Sequence, residues 1–212
     1  MSDKYLDSGY GKLIDAVISR DMDALADAVS RESLNEVDHD GWTALHIAAR
    51  EGNTEATQLL LSQPSISVNA KNKWKSTPLM MAAGSGNLSI INLLLLHPRT
   101  QIDLQADYYG RTALIEAAVK GHISVVKTLV SNGANVNITD KTGRNSALVE
   151  AIKNGHANIA TYLLRSGLLD FSDRDLRLQA LIWCGSRGGD VLRSELETAI
   201  HKFFKHNQRV AS

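Results

Sequence analysis

The chain of 212 residues has one cysteine, Cys184, only three prolines, and few aromatics: three Trp, five Tyr and three Phe. A lone cysteine rules out an internal disulfide and leaves the usual thiolate zinc spacings without ligands. Lys plus Arg is 23 and Asp plus Glu is 23, so the formal net charge is zero. Such a chain lacks the long-range positive field of a general nucleic-acid binder, which makes that role unlike its composition. The densest apolar run, Ile90 to Leu96, falls far short of the roughly 20 residues a membrane-spanning helix needs. Asp3, Lys4 and Asp7 charge the first residues, and no apolar run follows. No secretory signal or lipidation motif is expected. The expected setting is soluble and cytoplasmic, with the nucleus left open.

Motifs for chemistry are also missing. No G-x-x-x-x-G-K-[ST] run occurs. Gly185, Gly188 and Gly189 lack the following Lys and the preceding strand of a phosphate loop, so they read as a loop between helices. After Cys184, Asp190 stands where a thiol-phosphatase loop requires Arg. Beside Ile182 and Trp183, Cys184 reads as a buried, inert thiol. The seven histidines form no H-E-x-x-H or H-x₃-H pair, and nothing groups a Ser, a His and an acid. No enzyme activity, metal or cofactor is expected.

What the sequence does have is internal repetition. Gly41-Trp-Thr-Ala-Leu-His-Ile-Ala-Ala-Arg-Glu-Gly52 returns as Ser76-Thr-Pro-Leu-Met-Met-Ala-Ala-Gly-Ser-Gly86 and as Gly110-Arg-Thr-Ala-Leu-Ile-Glu-Ala-Ala-Val-Lys-Gly121. Ser146 to Gly155 follows with small departures. The hydroxyls Thr43, Thr77, Thr112 and Ser146, the leucines Leu45, Leu79, Leu114 and Leu148, and the glycines Gly52, Gly86, Gly121 and Gly155 all step by 34, 35 and 34. Three columns kept in phase over four units mark a repeat architecture.

Each unit has a physical reading. The hydroxyl can accept from a free backbone N–H at a helix start, and Pro78 sits where its missing N–H costs nothing. Leucine and the alanine pair share one helical face, and the glycine ends a helix of about two turns. A second helix follows, carrying Leu59, Leu60, Leu93, Leu94, Val126, Leu129, Tyr162 and Leu163. A turn such as Asn132-Gly-Ala-Asn-Val-Asn137 closes the unit. No unit can bury both apolar faces alone, so the units must stack. Pro64 and Pro98 replace the turn glycine in two units, Lys75 takes a tip glycine position, and Asn145 reads as a one-residue insertion.

These motifs resemble the ankyrin repeat family: Asp38-x-x-Gly41-x-Thr43-Ala-Leu-His46 in one unit, and Asp107-x-x-Gly110-x-Thr112-Ala-Leu114 with Gly121-His122 in another. The resemblance covers about residues 36 to 170. It implies an all-α ankyrin repeat solenoid of paired antiparallel helices joined by short turns, with about six repeats. Residues 1–37 form an N-terminal capping repeat, 38–171 four repeats, and 172–212 a divergent C-terminal cap and tail, all in one continuous domain. In the first cap Leu13, Ile14, Ala16, Val17, Leu25, Ala26 and Val29 are apolar. Lys12, Asp15, Arg20, Asp21 and Asp23 face solvent. In the last cap Leu176, Leu178, Leu181 and Ile182 suggest a helix. Leu196, Ile200 and Phe203 make a stripe, and the tail is expected to fray from about Lys205.

The resemblance also implies function. Family members bind partner proteins through the turn tips and first helices. On the matching positions the partner-binding candidates are Trp42, Arg50, Lys73, Trp74, Tyr108, Tyr109, Arg111, Lys120, Arg144 and Lys153. Trp, Tyr and Arg are the types enriched at binding hot spots. With Lys141 added, seven basic residues face only Asp40 and Glu51, so a protein partner with an acidic and apolar segment is expected. Tip aromatics packed on neighbouring turns and lysines that are merely solvated are the structural alternative. A scaffold or adaptor is the first reading. An inhibitor or assembly chaperone of a kinase or proteasome-type complex is a second, and nucleic-acid binding by the basic aromatic face a third. His46 is implied to bond within the repeat turn. Asn137 matches a turn asparagine that hydroxylases modify in some members, although it also suits a turn that bonds its own backbone. A monomer is expected.

Overall fold

Four hydroxyl side chains start four helices, as the spacing requires. Thr43 accepts the His46 N–H, Thr77 the Met80 N–H, Thr112 the Ile115 N–H and Ser146 the Val149 N–H. Each satisfies one of the free donors at a helix N-terminus. The computed structural model describes residues 11–31, 33–106, 109–185 and 189–210. These contain twelve helices and, among the described residues, no strand beyond an isolated bridge between Thr139 and Ser146. No helix among them is long and apolar enough to cross a membrane.

The chain divides into two compact units, 1–101 and 102–212. Three helix pairs build the first: α1 (Lys12–Ser19) with α2 (Met22–Arg31), α3 (Ala44–Glu51) with α4 (Thr54–Leu61), and α5 (Pro78–Ser85) with α6 (Leu88–Leu96). Three build the second: α7 (Ala113–Lys120) with α8 (Ile123–Ser131), α9 (Ala147–Lys153) with α10 (Ala157–Arg165), and α11 (Arg174–Trp183) with α12 (Gly189–Val210). In each unit first helices pack on first helices and second helices on second helices. Six pairs therefore give the expected all-helical repeat architecture.

Small side chains permit that packing. Ala48, Ala49, Ala82 and Ala83 are sealed in the first unit, and Ala117, Ala118 and Ala151 in the second. Leu60, Ile90, Leu94, Val126, Leu129 and Leu163 fill the space against the second helices. Leu59, Leu93 and Tyr162 are only half buried. At the tips, Gly41 and Gly110 have φ of 79° and 69°, and Lys75 adopts φ 53° in the matching place. The lysine thus accepts a backbone region that glycine occupies at lower cost.

Several expectations need correcting. Glycine caps α3, α5 and α7 directly, but α9 ends on Asn154, and Gly155 with φ 77° comes one residue later. In the first cap Ala28, not Ala26, is buried, because it shares the inner face of α2 with Leu25. The charges Lys12, Asp15, Arg20, Asp21 and Asp23 are exposed as expected. In the last pair Leu178 and Ile182 lie exposed, while Ala180 and Cys184 face the core. The tail from Lys205 is helical through Val210. Phe203 packs edge-on against Phe171, and the Arg177 guanidinium covers Phe204, which ties this helix down. Of the expected 185–189 loop, residues 186–188 lie outside the described residues.

Candidate functional site

The tips are shaped by side chains that imitate backbone. Asp38 Oδ1 accepts the N–H groups of Asp40 and Trp42, both at 2.8 Å, and Asn72 Oδ1 accepts those of Trp74 and Ser76 at 3.0 Å. These Asx turns fix the direction in which the following aromatic leaves the chain. The two tips are also joined: Lys73 N–H donates to the Asp40 carbonyl at 2.9 Å. His46 braces the first tip from beneath. Its Nδ1 lies 3.2 Å from the Thr43 N–H, and its Nε2 donates to the Ser76 carbonyl at 2.9 Å. These partners assign the neutral Nε2–H tautomer. Burial pushes the imidazole pKa below its ordinary value, against the raising effect of the Ser76 carbonyl. In the next repeat the Met80 sulfur takes the place of that ring nitrogen, 3.4 Å from the Thr77 N–H.

On this frame the first unit assembles an aromatic pair. Trp42 and Trp74 meet edge to face at 6.4 Å, and Trp74 stays 47% exposed. Arg50 lies over the Trp42 ring at 4.6 Å and pairs with Glu51 at 2.9 Å. Asp38, His39, Asp40, Ile47 and these three large side chains line a cleft of about 220 Å³. Lys73 reaches Asp40 at 3.2 Å. The four candidates of this unit are therefore brought together.

The second unit repeats the theme with different charges. Tyr109, 58% exposed, carries the Arg111 guanidinium 5.1 Å over its ring. Arg111 lies between Glu116, at 3.6 Å, and Glu150, at 3.9 Å. Lys153 also reaches Glu150, at 3.2 Å, and lies 5.7 Å from the Trp183 ring. Asp140 shapes this tip by accepting from Thr142 and Asn145. Burial would raise its pKa, but these hydrogen bonds outweigh it and hold the carboxyl below its ordinary range. Tyr109, Arg111 and Lys153 are thus linked. Lys120 and Arg144 are exposed and, among the described residues, join no ion pair. Tyr108 lies outside the described residues.

Glu116 and Glu150 were missed by the sequence count of acids on this surface. The signal was present: each stands four residues after its capping hydroxyl, where the earlier units hold Ile47 and Met81. A charge in an apolar column points to a local ion-pair design. Its consequence is that much of the basic charge near Tyr109 is compensated within the unit. Among the described residues the Asn137 side chain does not bond its own turn. Its amide donates to the Leu168 carbonyl at 2.9 Å and accepts from Asp170 N–H at 2.8 Å, so it bonds the next turn. Cys184 is buried, and burial raises its thiol pKa, partly offset by Arg193.

Comparison with known proteins agrees with this architecture. A family model described as ankyrin repeats matches three times, over residues 13–106, 65–140 and 96–175. A 48-residue stretch is 44% identical to a Caenorhabditis elegans protein named putative glutaminase 2. That stretch is 23% of this chain but only 8% of that protein, so the likeness is to a small part of it.

Proposed function

The chain belongs to the ankyrin repeat family, and from that premise we propose that it is a non-catalytic binding protein that recognises a partner protein through its repeat tips and first helices. The observation that carries this reading is the Trp42–Trp74 pair with Arg50 stacked on it, beside a cleft of about 220 Å³. An exposed tryptophan offers a large apolar area at little entropic cost, and an arginine fixed by stacking meets a carboxylate without first being ordered. Tyr109 with Arg111 offers the same combination in the second unit. The partner segment is therefore apolar with acidic residues beside it.

Affinity capture from the source cell's lysate tests this. Wild type is compared by mass spectrometry with Trp42→Ala/Trp74→Ala and, separately, with Arg111→Glu/Lys120→Glu. A protein held by wild type and lost from a folded variant supports the tips as the site. A partner held equally by wild type and both variants overturns this placement.

A further inference from the structure

Helix α12 has 22 residues and its neighbour α10 has 9, so about 33 Å of helix runs beside about 14 Å. The overhang is lined by the loop that follows α10 rather than by another helix. Between them lies a groove of about 630 Å³, almost three times the cleft at the first-unit tips. Its apolar wall is Leu164, Leu168, Leu169 and Phe171, and its floor is Thr198, Ala199 and Phe203. Two of the chain's phenylalanines line it, Phe203 meeting Phe171 edge-on at 5.9 Å. Leu168 is half exposed at the mouth.

The groove holds both signs of charge, Asp170 and Glu195 beside Arg165 and Lys202, but its acids are engaged within the fold: Asp170 Oδ1 accepts the Ser172 N–H at 2.8 Å. Glu195, on its rim, is already engaged by Thr161 at 2.7 Å and by Arg165 at 2.5 Å. These two partners hold its pKa below the ordinary carboxylate value. From Thr198 to Ser212 the sequence has no Asp or Glu, while Lys202, Lys205 and Arg209 are basic. Lys202 and His206 line the groove and are exposed. Among the described residues no ion pair involves Lys202 or Lys205. Favourable interaction with the helix dipole is confined to the last turn, and Lys202 and Lys205 stand before it.

We propose that this groove is a second binding site, sharing no residue with the tips, for an acidic peptide segment of a partner protein. A leucine or phenylalanine of that segment fills the space over Ala199, and its Asp or Glu neighbours meet Lys202 and Lys205. A bilayer fits less well. The large apolar residues exposed on α12, Val191 and Phe204, stand on different sides of the helix and form no single apolar face, while Leu192 and Leu196 are buried in the fold. A nucleic acid needs a track of cations for successive phosphates, whereas among the described residues that line the groove these are Lys202 and Arg165, the latter already paired with Glu195.

Selection from a random peptide display library on the full chain tests this, followed by fluorescence anisotropy of the selected peptides. Expected are peptides with Asp or Glu flanking Leu or Phe. Lys202→Glu/Lys205→Glu should bind them at least about tenfold more weakly. Ala199→Leu should also weaken binding, whereas Trp42→Ala/Trp74→Ala should leave it unchanged. Peptides without acids, or peptides held equally by the charge-reversed variant, overturn the proposal. So does binding lost only from the tryptophan variant, which would assign the peptides to the tips. Phosphatidylserine vesicles and labelled oligothymidine are tested in parallel. If either binds through Lys202 and Lys205 while no acidic peptide is selected, the peptide assignment fails.

Discussion

Asn69 and Arg99 tie two successive turns together in both directions. The Asn69 amide donates to the Arg99 carbonyl at 2.6 Å and accepts from Gln101 N–H at 3.0 Å. The Arg99 guanidinium returns to the Pro64 and Ile66 carbonyls at 2.8 and 3.1 Å. These are the two turns in which proline replaces glycine. The same amide-to-turn tie is made by Asn35 in the first unit and by Asn137 in the second.

Asn69→Ala is expected to lower stability by about 1–2 kcal/mol, since it removes two hydrogen bonds, each worth about 0.5–1.5 kcal/mol net. Urea unfolding of the variant measures this. An unchanged midpoint would mean that water replaces the amide without loss. Asp103 occupies the same column but cannot donate. It only accepts the Asn135 N–H, at 3.1 and 3.3 Å. Asp103→Ala should therefore cost less than Asn69→Ala.

The column 35, 69, 103, 137 steps by 34 throughout, so its register is visible in the sequence. The periodic helix starts, alanines and glycines were legible because each acts within its own repeat. The turn ties were not, because they join residues about 30 apart. The candidate site divides the same way. Tip positions followed from register, but the pairing of Arg111 with Glu116 and Glu150 depends on how neighbouring helices face each other. The long α12 was hidden as well: its outer half is polar, and its anchorage is the Phe171–Phe203 contact across the last turn.

Gly110 and Gly143 separate two reasons for glycine. Both have positive φ, 69° and 70°. A Cβ on Gly110 would lie 2.7 Å from the Lys141 backbone nitrogen, whereas one on Gly143 would meet nothing within 4 Å. Gly143→Ala should cost about 1 kcal/mol, the left-handed penalty alone. Gly110→Ala should cost at least about 1 kcal/mol more, because the Lys141 N–H to Tyr109 carbonyl bond at 2.9 Å must shift. Equal losses in thermal or urea unfolding would show that the tip relaxes freely.

His46 gives the first unit a dependence on acid. Burial holds its folded pKa below the ordinary 6.5, so the folded chain binds fewer protons than the unfolded chain. Its contribution is fully present above pH 6.5 and is lost as pH falls through 6.5 towards the folded value. His97 is shifted the same way, by burial and by Arg99, so the wild-type slope contains both. His46→Met borrows the residue that Met80 supplies in the next repeat. It should lower stability at neutral pH by removing the bond to Ser76, yet lose less on going from pH 7 to 5 than wild type does. Parallel unfolding curves across that range would show that His46 does not carry this acid sensitivity.

Glu150 carries the most consequential charge of the second unit. It is 3% exposed, and its partners Arg111, Lys153 and Asn154 reach its carboxylate at 3.9, 3.2 and 3.1 Å. Removing one member of a buried ionic cluster costs more than replacing the group with apolar volume. Glu150→Ala should therefore lose about 2–3 kcal/mol, combining a cavity with Lys153 left without its acid and Arg111 held by Glu116 alone. Glu150→Met, the side chain that Met81 places in this column, fills the cavity but leaves the same cations uncompensated, so it should lose about 1–2 kcal/mol, less than Glu150→Ala. It should also leave Arg111 and Lys153 less compensated beside Tyr109. If the proposed partner segment is acidic, Glu150→Met should bind it more tightly, with a steeper loss of affinity as salt is raised. Isothermal titration of the captured partner at two salt concentrations decides this. Tighter binding with a steeper salt slope supports an acidic segment at the second-unit tip, and unchanged affinity at both salts removes Arg111 and Lys153 from the interface.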